Sequence, residues 1–165
     1  MARKGSTGNI RVVFRESLAD ASAPTATELN LASTKDLTPN MSRDGLSTPN
    51  SGSTIDISDA STRQNKTGAG SYGGDPIEIK GIREDSEALD VIWTALYPGR
   101  TGYIIVRRFG GSTATFASTQ NVEVYPVEVI SRENAPIADN EKQSCNVRLA
   151  VTGAVYDDAY IGGAS

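Results

Sequence analysis

The sequence contains no histidine and only one cysteine, Cys145. The lack of histidine excludes Ser-His-Asp and Cys-His catalytic arrangements, histidine-containing zinc sites and histidine pH switches. A single cysteine can form neither an internal disulfide nor a CxxC redox pair, which excludes a secreted fold held together by disulfides. Because apolar and polar residues alternate around Cys145, we interpret it as a small buried apolar residue.

Aromatic residues are scarce, at 6% of the 165 residues, and no apolar run approaches the length of a membrane span. The basic segment from Met1 to Ser6 is not followed by the apolar region of a signal peptide. The formal charge of −4 is spread along the chain, whereas nucleic-acid binding by counterion release needs a basic patch. These features predict a soluble protein with no membrane partner, which stays where it is made unless it assembles into something larger.

The composition predicts a single domain, residues 1–165, with a modest core and long polar connections. Only 38% of the residues are hydrophobic, and Ser, Thr, Gly and Asn are abundant. Four segments are expected to lie outside the core. They are an N-terminal arm at residues 1–9, a long polar connection at about 16–53, a Gly-rich loop at 59–75 and a C-terminal arm at 153–165.

Period-two alternation of apolar residues predicts about six β-strands. They lie near residues 10–15, 54–58, 77–80, 103–109, 122–130 and 145–151. Two breaks in the alternation, at Gly81 and at Tyr125-Pro126, predict β-bulges or edge positions. Several strands with one helix between them predict a mainly β fold, a β-sandwich or barrel with one flanking α-helix.

The predicted helix covers residues 85–96, and Asp85 or Ser86 is expected to cap its N-terminus. Its apolar stripe follows the i, i+3, i+4, i+7 spacing and consists of Leu89, Ile92, Trp93 and Leu96. The strand at 103–109 is apolar on both faces, so we expect this helix to cover one of them. A second, short helical turn is predicted after Pro24, because Thr25 and Glu28 have capping-box spacing.

No residue pattern predicts catalysis, a cofactor or a metal. Gly68 to Gly73 matches G-x-G-x-x-G, but nucleotide binding needs a strand before that motif and a helix after it, so a flexible loop is the better interpretation. The scattered Asp residues lack the alternate-position spacing of a calcium loop. Arg107 and Arg108 are expected on opposite strand faces and therefore form no basic patch. We expect a protein that is not an enzyme.

An ordered series of segments resembles the major tail tube proteins of long-tailed, non-contractile phages of actinobacteria. The segments run from Ala23 to Asn30, Asp36 to Thr38, Asp44 to Leu46, Thr54 to Ile57, Tyr72 to Ile77, Trp93 to Thr94, Gly102 to Gly111 and Val124 to Ile130. The resemblance covers about residues 15–152. It implies a β-sandwich with one helix that assembles into hexameric rings, which stack into a tube around a channel.

The resemblance also implies partners and a location. The expected partners are further copies of the chain, the tape-measure protein, tail-tip and tail-terminator proteins, and DNA that passes without sequence-specific binding. The expected location is the virion tail, after synthesis in the host cytoplasm. One sheet of each subunit is expected to join its neighbours in an inner barrel, while long loops and terminal arms bridge to the next ring.

Two sets of residues are predicted to act in such a tube. Outward-facing acids on strands are candidates to line the channel: Asp56, Glu78, Glu123 and Glu128. Residues of the Gly-rich loop are candidates to contact the adjacent ring: Asn65, Lys66, Tyr72 and Asp75. Two alternatives stay open, a tail terminator that forms a single ring, and a monomeric β-sandwich module that binds carbohydrate or a cell surface.

Overall fold

The computed structural model describes residues 8–48, 52–56, 67–72 and 75–162; for 52–56 and 67–72 it describes the backbone alone. The fold is mainly β, as predicted from the sequence. Its strands are β1 (Arg11–Arg15), β2 (Lys35–Asp36), β3 (Met41–Ser47), β4 (Gly52–Asp56), β5 (Thr67–Tyr72), β6 (Ile77–Ile82), β7 (Thr101–Arg107), β8 (Asn121–Asn134), β9 (Ser144–Val151) and β10 (Tyr156–Tyr160). Its helices are α1 (Ala26–Leu29), α2 (Val91–Ala95) and a 3-10 turn at Thr38–Asn40.

Eight strands form one antiparallel sheet in the order β2-β1-β7-β8-β9-β6-β3, and β10 also pairs with β8. The strands at its two edges, β2 and β3, are consecutive in the chain, and only residues 37–40 join them. A link of that length spans at most roughly 18 Å, so the sheet must curl until its edges approach each other. β4 and β5 form a separate two-stranded hairpin.

The apolar parity of β8 changes at Tyr125-Pro126. Of the two accounts predicted there, the bulge is wrong, whereas an edge position agrees with the pairing of β8, because neither β9 nor β10 pairs with Pro126. The ladder with β7 runs without a shift from Thr101↔Glu128 to Val106↔Glu123. Parity changes because Val122 and Val124 belong to one core, whereas Tyr125, Val127 and Val129 belong to another on the opposite face. The irregularity in β8 lies instead between Val129 and Ser131, opposite β9.

Pro126 lies at a break between two strands that share one edge of β8. β9 pairs with residues 127–134 and β10 with residues 121–124. The Thr152 N–H donates to Pro126 O (2.9 Å), so the nitrogen of Pro126, which carries no proton, faces the same edge. Because Pro126 has no N–H, β8 cannot donate a backbone hydrogen bond at this position, where β9 ends.

Two apolar cores lie on opposite faces of the sheet. The first core occupies the inside of the curl and takes residues from every main strand and from α2; among its members are Val12, Phe14, Ile77, Ile79, Ile92, Leu96, Ile104, Val127, Cys145 and Leu149. The second core lies under α1 and the β7–β8 connection and contains Val13, Leu29, Ile105, Phe116, Val122, Val124, Ala159 and Ile161. Cys145 is fully buried in the first core.

The predicted helix at 85–96 is shorter in the structure, where only Val91–Ala95 is helical. Ile92 and Leu96 are fully buried and Trp93 packs partly buried against the first core, but Leu89 is 58% exposed and lies in the preceding turn. The cap predicted at Asp85 or Ser86 is also wrong, since Asp90 precedes the helix and makes no side-chain cap hydrogen bond. The buried Asp90 carboxylate instead pairs with Arg83 (2.7 Å), which fixes the start of α2 one turn later.

Gly81 is not a bulge in β6, because its pairing with β9 stays in register through Gly81↔Cys145. A Cβ atom at this position would lie 3.1 Å from Cys145 Sγ and from two atoms of Ile92, so glycine lets α2 pack directly on the strand. The irregularity is in β3, whose pairing with β6 shifts between Met41 and Leu46.

Three of the segments expected outside the core contain regular structure. Residues 16–53 include α1, β2 and β3, and the capping box of Thr25 and Glu28 is present as predicted. In the Gly-rich loop, residues 67–72 form β5, which excludes the geometry of a nucleotide-binding turn there. The C-terminal segment is not a free arm, since β10 pairs with β8 and Ile161 is fully buried in the second core.

Candidate assembly surface

One face of the sheet is left bare over β3, β6, β9 and the C-terminal half of β8. Residues directly opposite each other in a ladder point to the same face. Because Glu78 lies opposite Arg148, and Glu128 lies opposite Ala150 two residues further along β9, Glu78 and Glu128 share this face. The opposite face of the same strands carries Ile77, Ile79, Val147 and Leu149 of the first core.

The bare face carries both signs of charge. Its acids are Glu78, Glu128 and Glu133, and its bases are Lys80 and Arg148. Glu78 and Arg148 are paired across β6 and β9 (3.4 Å), each with about half of its side chain exposed. Among the described residues, Lys80 has no salt bridge. The bare face is therefore a polar surface of mixed charge, whereas the opposite face of the same strands is apolar.

Glu123 does not belong to this surface. It lies opposite Val106, on the face of the first core, so it points away from Glu78 and Glu128. Its carboxylate accepts hydrogen bonds from Arg108 Nη2 (3.0 Å) and from the Tyr125 hydroxyl (2.7 Å), and Arg108 Nε also donates to it. Burial and this bond to Glu123 raise the pKa of Tyr125, while the hydrogen bond to Glu123 raises the pKa of Arg108. Glu123 is thus paired with Arg108 and hydrogen-bonded by Tyr125 at one end of the curled sheet.

Two of the remaining predicted residues, Asp56 and Tyr72, lie on the β4–β5 hairpin. Asp56 is the last residue of β4 and its backbone pairs with Thr67 of β5. Tyr72 ends β5, opposite Gly52, and Asp75 is exposed just before β6. Asn65 and Lys66 lie outside the described residues. The hairpin is separate from the main sheet.

The sheet region behind the bare face has an unpaired edge on each side. β3 pairs with β6 alone, so its outer edge has no strand partner in the described part of the chain. The β7 ladder reaches β8 only as far as Glu128, with two further backbone bonds at Val129, so residues 130–134 of β8 have no partner on that side. Unpaired strand edges of this kind readily accept a strand from another chain.

A groove of about 580 Å³ lies beside the outer edge of β3. Its walls come from the start of β1, the end of β7 and most of β3, with Ile10, Met41 and Leu46 as apolar residues and Arg43, Asp44 and Arg108 as charged ones. No other described strand fills the space between β3 and β1. The groove thus lies open beside the edge of β3 in the described part of the chain.

Sequence patterns missed Arg107, which is 1% exposed although it is charged. Its guanidinium donates to the carbonyls of Gly111 (2.5 Å), Ala114 (2.8 Å) and Thr115 (2.9 Å), and to Gln120 Oε1 (3.1 Å). The ring of Phe116 lies 4.9 Å from its Cζ atom. Burial, and next the nearby Arg11, lower the pKa of Arg107. Arg107 holds the β7–β8 connection over the second core. In the sequence, the only indication of its burial is its position at the end of an apolar strand.

The described residues contain no group of three or more His, Cys, Asp or Glu side chains that could hold a metal ion. Within the same part of the chain, no helix is long and apolar enough to cross a membrane. The features that remain are a bare sheet face, two open edges beside it and a separate hairpin. These are features of a subunit that binds other subunits.

Comparison with known proteins agrees with this interpretation. Residues 1–164 match the family model described as phage tail tube protein. Among solved structures, the chain is similar to one chain of a cryo-EM structure of the anti-feeding prophage baseplate, 6-fold symmetrised. The TM-score is 0.54 at 10% sequence identity, with 98% of each chain covered, which shows a shared fold. No curated protein sequence matches the chain.

Proposed function

Because the chain belongs to the phage tail tube protein family, we propose that it is a structural virion protein whose copies form stacked hexameric rings around a channel. The channel would hold the tape-measure protein during assembly and conduct DNA into the host afterwards. The finer resemblance, to non-contractile phages of actinobacteria, stays a prediction because the family match does not distinguish tail types.

The observation that carries the proposal is the bare face of the sheet. A solvated face is ordinary for an antiparallel sheet, but here it occupies one half of a sheet whose other half is covered on both faces, in a chain of the phage tail tube family. In a ring, that face can form the channel wall. Its mixed charges offer no contiguous basic patch on which a polyanion would bind firmly.

The proposal of six subunits per ring is supported only by the similarity of fold to a solved structure. That structure is a six-fold symmetrised baseplate, and the six-fold symmetry is a property of the baseplate. Transferring the symmetry to this chain gives six bare faces per ring. The remaining proposed partners, tail-tip and terminator proteins, would contact the two ends of such a tube.

Negative-stain electron microscopy of the purified protein at rising concentration tests the proposal. We expect rings or tubes with a central hole and six-fold rings in end views. Single rings that never stack would favour a tail terminator. Dispersed monomers, also in the presence of a tail-tip complex, would contradict the proposal and favour a monomeric binding module.

Channel lining by Glu78 and Glu128 can be tested in assembled particles. Charge reversal of both residues to lysine should slow DNA ejection. The pair changes from two negative to two positive charges in each of the six subunits, so the channel wall would attract the DNA backbone. Glu141→Lys, in the exposed β8–β9 connection, is the matched control. Equal ejection rates for the double variant and the control would show that this face does not line the channel.

A further inference from the structure

We propose that the two connections at the ends of β8 contact each other between successive rings, with Ile137 of one subunit packing against Phe109 of a subunit in the next ring. The β7–β8 connection covers residues 108–120, and the β8–β9 connection covers residues 135–143. The inference rests on the proposed stacked rings and names side chains that hold one ring on the next. The partner of each connection is therefore a second copy of this chain.

Ile137 and Phe109 are the two most exposed large apolar side chains in the described part of the chain. Ile137 is 86% exposed, and Phe109 is 64% exposed. Single exposed apolar residues are common on soluble proteins, so exposure alone decides nothing. The placement of the two residues carries the argument, because each lies at one end of the same strand.

The sheet places these two side chains at opposite ends of β8. β7 ends beside the start of β8, because Val106 lies opposite Glu123, and Phe109 follows two residues after the end of β7. At the other end, Ile137 follows three residues after Asn134, the last residue of β8. β8 has 14 residues, which span roughly 45 Å when extended. One subunit therefore cannot bring Ile137 to its own Phe109, and the contact needs a second copy.

Placement at opposite ends suits a stack of identical subunits. When copies stack in the same orientation, one end of each subunit meets the opposite end of the next. A contact between two different patches does not close on itself, so each subunit offers Ile137 to one neighbour and Phe109 to the other, and the stack can grow. A contact between identical patches would instead stop at a pair of rings.

The β7–β8 connection presents Phe109 on a fixed turn. Gly110 and Gly111 both have positive φ, 115° and 90°, a conformation that favours glycine, so the chain turns directly after Phe109. Arg107 donates to the carbonyl of Gly111 (2.5 Å), and the Arg108 side chain is hydrogen-bonded to β8 (3.0 Å). The turn is thus anchored on both sides of Phe109.

The β8–β9 connection is fixed at its base. The Ala135 N–H donates to Ser144 O (2.9 Å), and the Arg83 N–H donates to Gln143 O (2.9 Å). A connection whose ends are held loses little conformational entropy when a partner binds. Burial of the exposed Ile137 side chain can therefore contribute to stacking.

Charge favours the same pairing of ends. Asp139 lies two residues after Ile137, and Arg108 directly precedes Phe109; both charged side chains are exposed. The proposed contact thus brings opposite charges close to the apolar pair, and opposite charges across an interface attract. A contact between two copies of the same connection would bring like charges together.

A charge introduced at each end tests the contact. Ile137→Asp and Phe109→Lys, each alone, should leave ring formation unchanged. Each should raise the protein concentration at which rings stack into tubes by about tenfold or more, because the apolar contact is lost in every subunit. The double variant I137D/F109K places opposite charges together and should stack more readily than either single variant. Leu31→Asp, at an exposed apolar residue that belongs to neither connection, is the matched control and should stack like the wild type.

A disulfide provides a second readout. In a Cys145→Ala background, F109C and I137C should form bonds between rings on oxidation, because side chains in contact lie within disulfide range. Each subunit would be linked to one neighbour above and one below, so denaturing gels of oxidised tubes should show covalent oligomers larger than one ring. Oxidised dispersed subunits should remain monomers. Circular dichroism of each variant checks that the subunits are folded.

The outcomes separate this inference from the proposed function. Wild-type tubes together with single variants that stack normally, or with no covalent oligomers on oxidation, would overturn the contact and leave the tube intact. Folded single variants that form no rings would also overturn it, since the two side chains would then act within a ring. Wild-type protein that forms neither rings nor tubes would overturn both. Loss of stacking in the single variants, with rescue by the double variant and covalent oligomers, would establish the contact.

Discussion

The two halves of the sheet differ in how many of their faces are buried. β1, β7 and the first half of β8 have apolar residues on both faces, because α1 and the β7–β8 connection cover the side that faces away from the first core. β3, β6, β9 and the second half of β8 have one apolar face and one face of mixed charge. The first half is buried on both faces, and the second half leaves the polar face that we propose as the channel wall.

β8 itself passes from the covered half of the sheet into the bare half. Val122 and Val124 bury their side chains in the second core, while Glu128, further along on the same face, is exposed. One strand therefore crosses from the covered region into the bare one, and a rigid ladder connects the core to the assembly surface. A substitution in the covered half should cost stability, whereas a substitution on the bare face should leave stability nearly unchanged.

The largest effect is expected in the covered half. Ile105→Ala removes a fully buried side chain from the second core and should lower the free energy of unfolding by about 2–5 kcal/mol. Glu128→Ala lies on the same sheet face but in the bare half, and should change it by less than about 0.5 kcal/mol. Urea unfolding of dispersed subunits measures both. Similar losses for the two variants would contradict the division into a covered and a bare half.

The cover itself depends on Arg107. Arg107→Met should lower the free energy of unfolding by about 2–3 kcal/mol, because three backbone carbonyls and Gln120 lose their donor at a buried position. Arg108→Met, at the next position but exposed and paired with Glu123, should cost less than about 1 kcal/mol. Thermal unfolding followed by circular dichroism compares the two. An equal loss would mean that the β7–β8 connection is held by its own turns.

Sequence patterns predicted the strands that carry a buried apolar face well in both halves, because burial on one or both faces leaves a periodic signal. β1, β6, β7, β8 and β9 all lie where the alternation placed strands. β3 and β10 were missed, since Met41–Ser47 and Tyr156–Tyr160 are polar edge strands whose place is set by tertiary pairing rather than by propensity. Leu89 fits a helical stripe, but the buried pair of Asp90 and Arg83 starts the helix after it.

The assembly surface was less accessible to sequence reasoning for a related reason. Acids at exposed strand positions look alike along the chain, and only the register shows that Glu123 faces away from Glu78 and Glu128. Alternation in the sequence shows which residues of a strand share a face, but it does not show which strands lie beside it.

The smallest effect is expected at α1, the other part of the cover. Burial alone would raise the pKa of Glu28, but hydrogen bonds from the Ala19 N–H (3.0 Å) and from Thr25 (3.2 Å) lower it below its usual value. A lowered folded pKa contributes stability that is present above the unfolded pKa, about 4.3, and is lost as the pH falls through the folded pKa. Glu28→Gln keeps the acceptor oxygen and removes the charge, so it should cost roughly 0.5 kcal/mol at neutral pH after solvent screening.

This cost should shrink as the pH falls below about 4, where the wild-type carboxylate also becomes protonated. Urea unfolding at a series of pH values measures the gap between the two proteins, and Glu141→Gln, in an exposed connection, serves as the control. A gap that stays constant from pH 7 down to pH 3 would mean that the charge of Glu28 does not support α1. A gap that closes would show that the cover over the second core is held partly by this carboxylate, which no residue of the bare half requires.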